Sequence, residues 1–303
     1  FWVHPLAAAT RGLAGKDLAE IAMMKAAGAR GVATGRAAIA DAGVMLRVMR
    51  YAAALDLVVV SHAEDSGLTN GAIATEGETA TRLGLPAAPS CAEAIAITRD
   101  IALARVSGAR LHFRLVSTAE GFALVRAAKA QGLPVTCGTS PAYLFLNDSA
   151  VSDFRTFARL SPPLRSESDR QATIAAVADG IVDVITSSHD PRGPEDKRLP
   201  FEDAVPGMAG AETLLALSLN LVREGHLTLP ALIRLLTANP ARLLGLDAGQ
   251  LLPGAPADII FIDPETPWRV DSRKMAAAAG NTPFDALPVQ GRVRRVMKGG
   301  VFY

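Results

Sequence analysis

The sequence has 303 residues, half of them hydrophobic, with 31 Lys and Arg against 30 Asp and Glu for a net charge of +1. That length buries a large core, as one α/β barrel or two ordinary domains. The balanced charge excludes a global field that would hold nucleic acid or an anionic membrane surface.

The chain begins Phe1-Trp2-Val3-His4, without an initiator methionine and without a charged-then-apolar leader. No apolar run reaches the roughly 18 residues that a membrane-spanning helix needs. A first strand is expected near Val3. A helix follows over Asp17 to Ala27, with Leu18, Ile21, Ala22 and Lys25 on one face, and another over Ala42 to Ala54. Leu57 to Val60 is a short apolar run ending at Ser61-His62, the pattern of a buried parallel strand. Leu111 to Val116, Pro134 to Cys137 and Ile181 to Thr186 repeat it, with helical patterns at Cys91 to Val106, Glu120 to Gln131 and Asp169 to Ala178. Ser90 with Glu93, and Ser117 with Glu120, have capping-box spacing at two helix starts. The two cysteines, Cys91 and Cys137, lie in helix-like and strand-like segments and are expected to be reduced, buried thiols of a cytoplasmic protein.

Strand–helix alternation at roughly 25-residue spacing predicts α/β architecture: a parallel sheet of about six strands with helices outside it. A closed barrel of this kind has eight strands, so the expectation is a TIM-like (β/α) barrel over residues 1–245 that lacks its first strands or stands open. Helical stretches at Ala211 to Arg223 and Leu229 to Thr237 follow, the second broken by Asn239-Pro240. From 246 to 303 the character changes. The Pro253 to Asp258 turn leads into Ile259-Ile260-Phe261-Ile262, and Val293 to Met297 is another strand, so a small β-module is expected there.

In a barrel of parallel strands the reactive groups lie at the C-terminal strand ends. Those ends carry Ser61-His62-Ala63-Glu64-Asp65, His112, and Ser188-His189-Asp190-Pro191-Arg192. Histidine with carboxylate on several strands suggests a metal, yet a catalytic centre needs at least three converging ligands. Each of these histidines read singly is an ordinary hydrogen-bonded rim or interior residue; His226 reads as a surface loop residue. There is no Gly-x-Ser-x-Gly and no phosphate-binding glycine loop.

Leu83-Gly84-Leu85-Pro86, Ser61-His62-Ala63-Glu64-Asp65, Ser161-Pro162-Pro163-Leu164-Arg165, Asn239-Pro240-Ala241-Arg242 and Asn281-Thr282-Pro283-Phe284, in this order and spacing, resemble the dihydroorotase family in its long-chain bacterial form. Hydantoinases and allantoinases share the fold and are the less close resemblance. The resemblance implies a metal-dependent barrel that reversibly closes carbamoyl aspartate to dihydroorotate, with zinc-bound hydroxide as nucleophile and an Asp on the last strand moving the proton.

Position by position, the chain departs from that pattern. The family's His-x-His and its following Arg have no counterpart here. The fourth-strand Asp-Asp-Gly is Thr34-Gly35-Arg36, which puts Gly35 at a metal-supporting position. His62 keeps the fifth-strand ligand. The sixth-strand His-x-x-His is His112-Phe113-Arg114-Leu115, so Leu115 replaces a ligand. A His-His pair after the seventh strand is Ala142-Tyr143. Ser188 stands for the catalytic Asp, Arg192 for a substrate-contacting His, and Ser161 for a substrate-binding Asn. Ser161, Arg192, Ala209 and Gly210 are thus expected to line a vestigial substrate cleft, with His62 a vestigial metal ligand. Asp190, two residues from the lost Asp, is the one candidate for rescue.

The expectation is a catalytically inactive homologue that needs no cofactor. By analogy with bacteria that pair such degenerate chains with aspartate transcarbamoylase, its partners would be that enzyme's catalytic subunit and further copies of itself. The alternative is an active zinc-dependent cyclic amidohydrolase whose metal is held largely by residues upstream of Phe1. In a third case Arg192, Arg165 and Arg114 hold an anion in the old cleft, although salt bridges in a collapsed cleft are the expectation for them.

Overall fold

The computed structural model describes residues 2–303. Eleven strands form three sheets: β1 (Ala7–Ala8), β2 (Gly31–Ala33), β3 (Val58–Ser61), β4 (Ala74–Thr75), β5 (Ala87–Ala88), β6 (Leu111–Phe113), β7 (Val135–Thr139), β8 (Val184–Ile185), β9 (Ile259–Arg269), β10 (Pro288–Lys298) and β11 (Val301–Phe302). The main sheet is parallel in the order β1-β2-β3-β6-β7-β8, so successive strands lie side by side as in a barrel wall. β4 and β5 make a separate parallel pair between β3 and β6. Register is tight through the middle: Val60 faces His112, and His112 faces Thr136. Those facing residues share the inner side of the wall, while Leu111, Phe113 and Cys137 turn outward into the core beneath the helices.

That outer core is built as the periodicity predicts. The helix Ala42–Ala54 buries Val44, Met45, Val48, Met49 and Ala52, the 3–4 spacing of one face. Cys91–Ser107 and Ala119–Ala130 form over nearly their expected spans. The first helix is shorter, Ile21–Ala26, so Leu18 precedes it; Ala22 and Lys25 are exposed, and Ile21 alone is buried. The strand expected near Val3 forms instead at Ala7–Ala8.

Several local expectations need correction. Neither capping box forms. Ser90 makes no side-chain cap, and the helix after Ser117 is capped by Thr118, whose hydroxyl accepts from Gly121 N–H. Both replacements trace to Glu93, which turns away from its helix to bind Ser117 and Thr118. Asn239-Pro240 does not end a helix. The break falls at Thr237, and the proline sits in the first turn of a second helix, Ala238–Leu243, where no backbone donor is needed. Cys91 is exposed; only Cys137 is a buried thiol, and burial pushes its ionisation far up.

The tail forms the antiparallel sheet β11-β10-β9. It shares a second apolar core with the barrel mouth, in which Val270, Phe284 and Val289 pack with Leu115, Tyr143, Leu164, Met208 and Leu217. At its other end the Trp2 indole N–H donates to Asp258 at 2.8 Å, and Lys298 lies over the indole ring. No helix among the described residues is long and apolar enough to cross a membrane.

Candidate active-site cleft

Three strands deliver side chains to the mouth of the sheet. His62 follows β3, Arg114 and Leu115 follow β6, and Ser188 and His189 come in the loop after β8. A cavity of about 400 Å³ opens there, lined among others by Arg114, Leu115, Ser140, Ser161 and Ser188. A smaller one of about 180 Å³ adjoins it and reaches His62 and Glu64; Arg36, Ser161 and Pro206 border both. A larger hollow of about 850 Å³ lies away from the strand ends, against Trp268 and Arg292 on the β-module. Its lining charges include Asp271 paired with Arg273 and Lys274, so the strand-end cavities are the better candidate site.

His62 is buried, and both its ring nitrogens are engaged. Arg114 Nη2 lies 3.2 Å from Nδ1 and Glu64 Oε2 lies 3.1 Å from Nε2. A guanidinium only donates, so Nδ1 accepts and the ring proton sits on Nε2, donated to Glu64. The one lone pair, on Nδ1, is thus not left for a metal. Burial pushes Glu64 upward, but the hydrogen bond from His62 and the Arg165 charge outweigh it and hold its carboxyl below the usual range.

Beneath this pair lies a closed polar network. Arg165 donates to Glu64 at 3.0 Å, to Thr75 at 3.1 Å and to Ser117 at 3.0 Å, with Glu93 at 3.6 Å. Glu93, fully buried, accepts from the N–H and hydroxyl of both Ser117 and Thr118. Burial alone would pull the Arg165 ionisation down; Glu93 and Glu64 reverse it. On the far side of β3, Ser61 donates to Asp100 at 2.8 Å, and Arg99 binds the same carboxylate through two nitrogens. Burial lifts Asp100 above its ordinary range all the same.

The other positions singled out in the sequence are placed as follows. Leu115 is buried in the second apolar core, and its neighbour there, Tyr143, donates its hydroxyl to Pro162 O at 2.6 Å. Ser188 lines the larger cavity at φ 47°, with its hydroxyl buried and unpartnered. Gly35 borders neither cavity. It sits at φ 90°, and a Cβ there would lie 2.9 Å from Leu13 Cδ1. His112 packs on Thr136, 2.9 Å from its hydroxyl, inside the sheet; burial and the Lys129 charge drop its ionisation to about 3. His189 Nδ1 accepts from the N–H groups of Gly210 and Ala211 at 3.3 Å. His226 is an exposed surface residue, as expected, 3.5 Å from Glu224.

Three expectations for the cleft change. Ala209 and Gly210 do not line it: Ala209 N–H is bonded to Asn281 O, and Gly210 backs His189. Arg192 does not itself line the cavity but stands behind its rim, its guanidinium bound to Asp190 and Pro206 O. Asp190 is no free carboxylate, because Arg36 and Arg192 grip one oxygen each. Ser161 does border both cavities. Sequence reading missed Arg114 as the partner of His62, since a lone Arg two residues past a strand His carries no motif. It also missed the Glu93–Arg165 pairing across 72 residues of chain, for which no local signal exists.

A metal does not fit this donor set. Among the described residues no group of three or more His, Cys, Asp and Glu is placed to hold one. His62, the ligand position that the resemblance implies, has given its Nδ1 lone pair to a cation already present, the Arg114 guanidinium.

Comparison with known proteins agrees with this architecture. A family model described as Dihydro-orotase-like matches residues 1–121. The dihydroorotase of Geobacter sp. (strain M21) is 41% identical over 302 residues, covering 99% of this chain and 71% of that protein. That of Desulforapulum autotrophicum is 42% identical with the same coverage. Among solved structures, the L-hydantoinase (dihydropyrimidinase) of Arthrobacter aurescens superimposes with a TM-score of 0.86 at 27% identity, over 97% of this chain and 68% of that one. The Brevibacillus agri dihydropyrimidinase, at 24% identity and a TM-score of 0.82 over 93% of this chain and 65% of its own, shares the fold. The sheet is thus that of a TIM-barrel amidohydrolase with a small C-terminal antiparallel sheet, and the chain belongs to the dihydroorotase family.

Proposed function

We propose that this chain is a non-catalytic dihydroorotase homologue of pyrimidine biosynthesis, acting as a structural or regulatory partner of aspartate transcarbamoylase and self-associating. The observation that carries the loss of chemistry is the state of His62, which gives Nδ1 to Arg114 and Nε2–H to Glu64. Hydroxide generation by zinc needs open ligand positions. Leu115 has no lone pair to offer. The Ser188 hydroxyl is a poor proton carrier near neutrality, and Asp190 is held by two arginines.

The partnership rests on family analogy: degenerate chains of this type serve aspartate transcarbamoylase in some bacteria. The first test is metal content by mass spectrometry together with dihydroorotate hydrolysis on the full-length protein. The expected result is substoichiometric zinc and no turnover; one zinc per chain with turnover would favour an active enzyme completed by residues upstream of Phe1. The second test is light scattering with the aspartate transcarbamoylase catalytic subunit. A joint peak is expected, and its absence at micromolar concentrations removes the partner role.

A further inference from the structure

We propose that the old catalytic cleft is a binding pocket for a small oxyanion, a carboxylate or phosphate group seated between Arg114, Ser140 and Ser188. This goes beyond the partner role and stands whether or not the chain docks on another enzyme.

Three polar groups around the pocket are left without partners. Arg114 uses one Nη2 hydrogen on His62, while its Nε–H is buried without a partner. Ser140 Oγ, at the end of β7, and Ser188 Oγ, after β8, are likewise buried and unpartnered. All three side chains line the same cavity of about 400 Å³. Buried polar groups in folded proteins are nearly always hydrogen-bonded, so three orphans on residues that line one cavity mark the place of a missing partner. A guanidinium and two hydroxyls are the groups that recognise a planar carboxylate or a phosphate.

Charge points the same way. The carboxylates nearest Arg114 are already engaged. Glu64 binds His62 and Arg165, and Asp190 binds Arg36 and Arg192. Tyr143, beside it, stays neutral because burial pushes its ionisation far up. Burial also lowers the Arg114 ionisation, the mark of a cation short of compensation. With Arg36 and Arg192 set against the single Asp190, the rim adds a net positive field. Salt bridges do hold Arg165 and Arg192, as the sequence led one to expect. Arg114 is the exception, because the cavity in front of it is open.

The volume admits a ligand of metabolite size, larger than a bare ion. Isothermal titration calorimetry with inorganic phosphate and, separately, with malonate tests the assignment. The expected result is saturable one-to-one binding of at least one probe. Stronger phosphate binding assigns a phosphoryl ligand, and stronger malonate binding a carboxylate. Arg114→Gln is expected to weaken it by about tenfold or more, since a charge-assisted contact is lost. The double variant Ser140→Ala/Ser188→Ala, which keeps the His62 contact, should weaken it several-fold. No binding of either probe up to about 10 mM, or binding unmoved in a folded double variant, would overturn the proposal.

Discussion

Glu93→Gln removes one of the three charges buried beneath the cleft, the others being Glu64 and Arg165, and leaves the shape almost unchanged. The wild-type carboxylate accepts from two backbone N–H groups and two hydroxyls and faces Arg165 at 3.6 Å. Glutamine keeps one acceptor oxygen and turns an NH₂ toward donors that need acceptors. Arg165 would then face Glu64 alone, and the four donors of Ser117 and Thr118 would lose the carboxylate that matches them. Breaking a buried pair by deleting one partner costs about 3–5 kcal/mol. A surface pair supplies the control: Arg126–Asp179 is short, 2.6 Å, but its side chains are 52% and 53% exposed. Asp179→Asn should therefore cost less than about 1 kcal/mol. Urea denaturation followed by circular dichroism gives both values. A Glu93→Gln loss no larger than that of Asp179→Asn would refute the claim that this network is closed and dry. It would also remove the support it gives to Glu64, and through Glu64 to the fixed tautomer of His62.

Three further outcomes are expected. Folded His112 binds a proton only near pH 3 while an unfolded histidine does so near 6.5, so the unfolded chain binds the extra proton between those values. Stability is present above about pH 6.5 and is lost as pH falls toward 3, by at most about 5 kcal/mol; denaturation midpoints against pH should show this slope reduced in His112→Gln. Gly35→Ala should destabilise by about 1–3 kcal/mol, because it forces a Cβ at φ 90° and 2.9 Å from Leu13 Cδ1; a neutral result by denaturation would contradict that geometry. Leu115→His/Ser188→Asp should still bind less than one zinc per chain by mass spectrometry, whereas adding Arg114→Gln, which frees His62 Nδ1, should raise the metal content.

The barrel wall was legible because its signals are local. Apolar runs at Val58–Ser61 and Leu111–Phe113 end at the rim where a parallel strand must end, and the face of Ala42–Ala54 repeats at helical spacing. The two-alanine β1, and the three-residue β2 with Val32 its one β-branched side chain, carry no such signal. The capping boxes failed for a tertiary reason: Glu93 serves Ser117 and Thr118 better than it serves its own helix. At the site, the replaced positions were readable one by one. What replaced them was not, because Arg114 meets His62 across two strands, and Asp190 meets Arg36 across 154 residues.

That replacement has a physical logic beyond loss. A metal ion on His62 would be an exchangeable cation able to bind water and lower its pKa toward neutrality. The Arg114 guanidinium is a fixed cation with no vacant coordination site, and being already protonated it cannot accept a proton from water. On the proposed reading it preserves the sign of the charge at the mouth while withdrawing the means to make hydroxide. The remaining bases near the cleft fit the same description. His189 gives its Nδ1 lone pair to two backbone N–H groups, which leaves Nε2 as a donor, and Asp190 is divided between two arginines. A cleft so arranged attracts and orients anions but has no group free to accept a proton from water. The proposed loss of hydrolysis and the proposed anion pocket are thus two readings of one charge substitution, separable by experiment: zinc and turnover decide the first, calorimetry with phosphate and malonate the second.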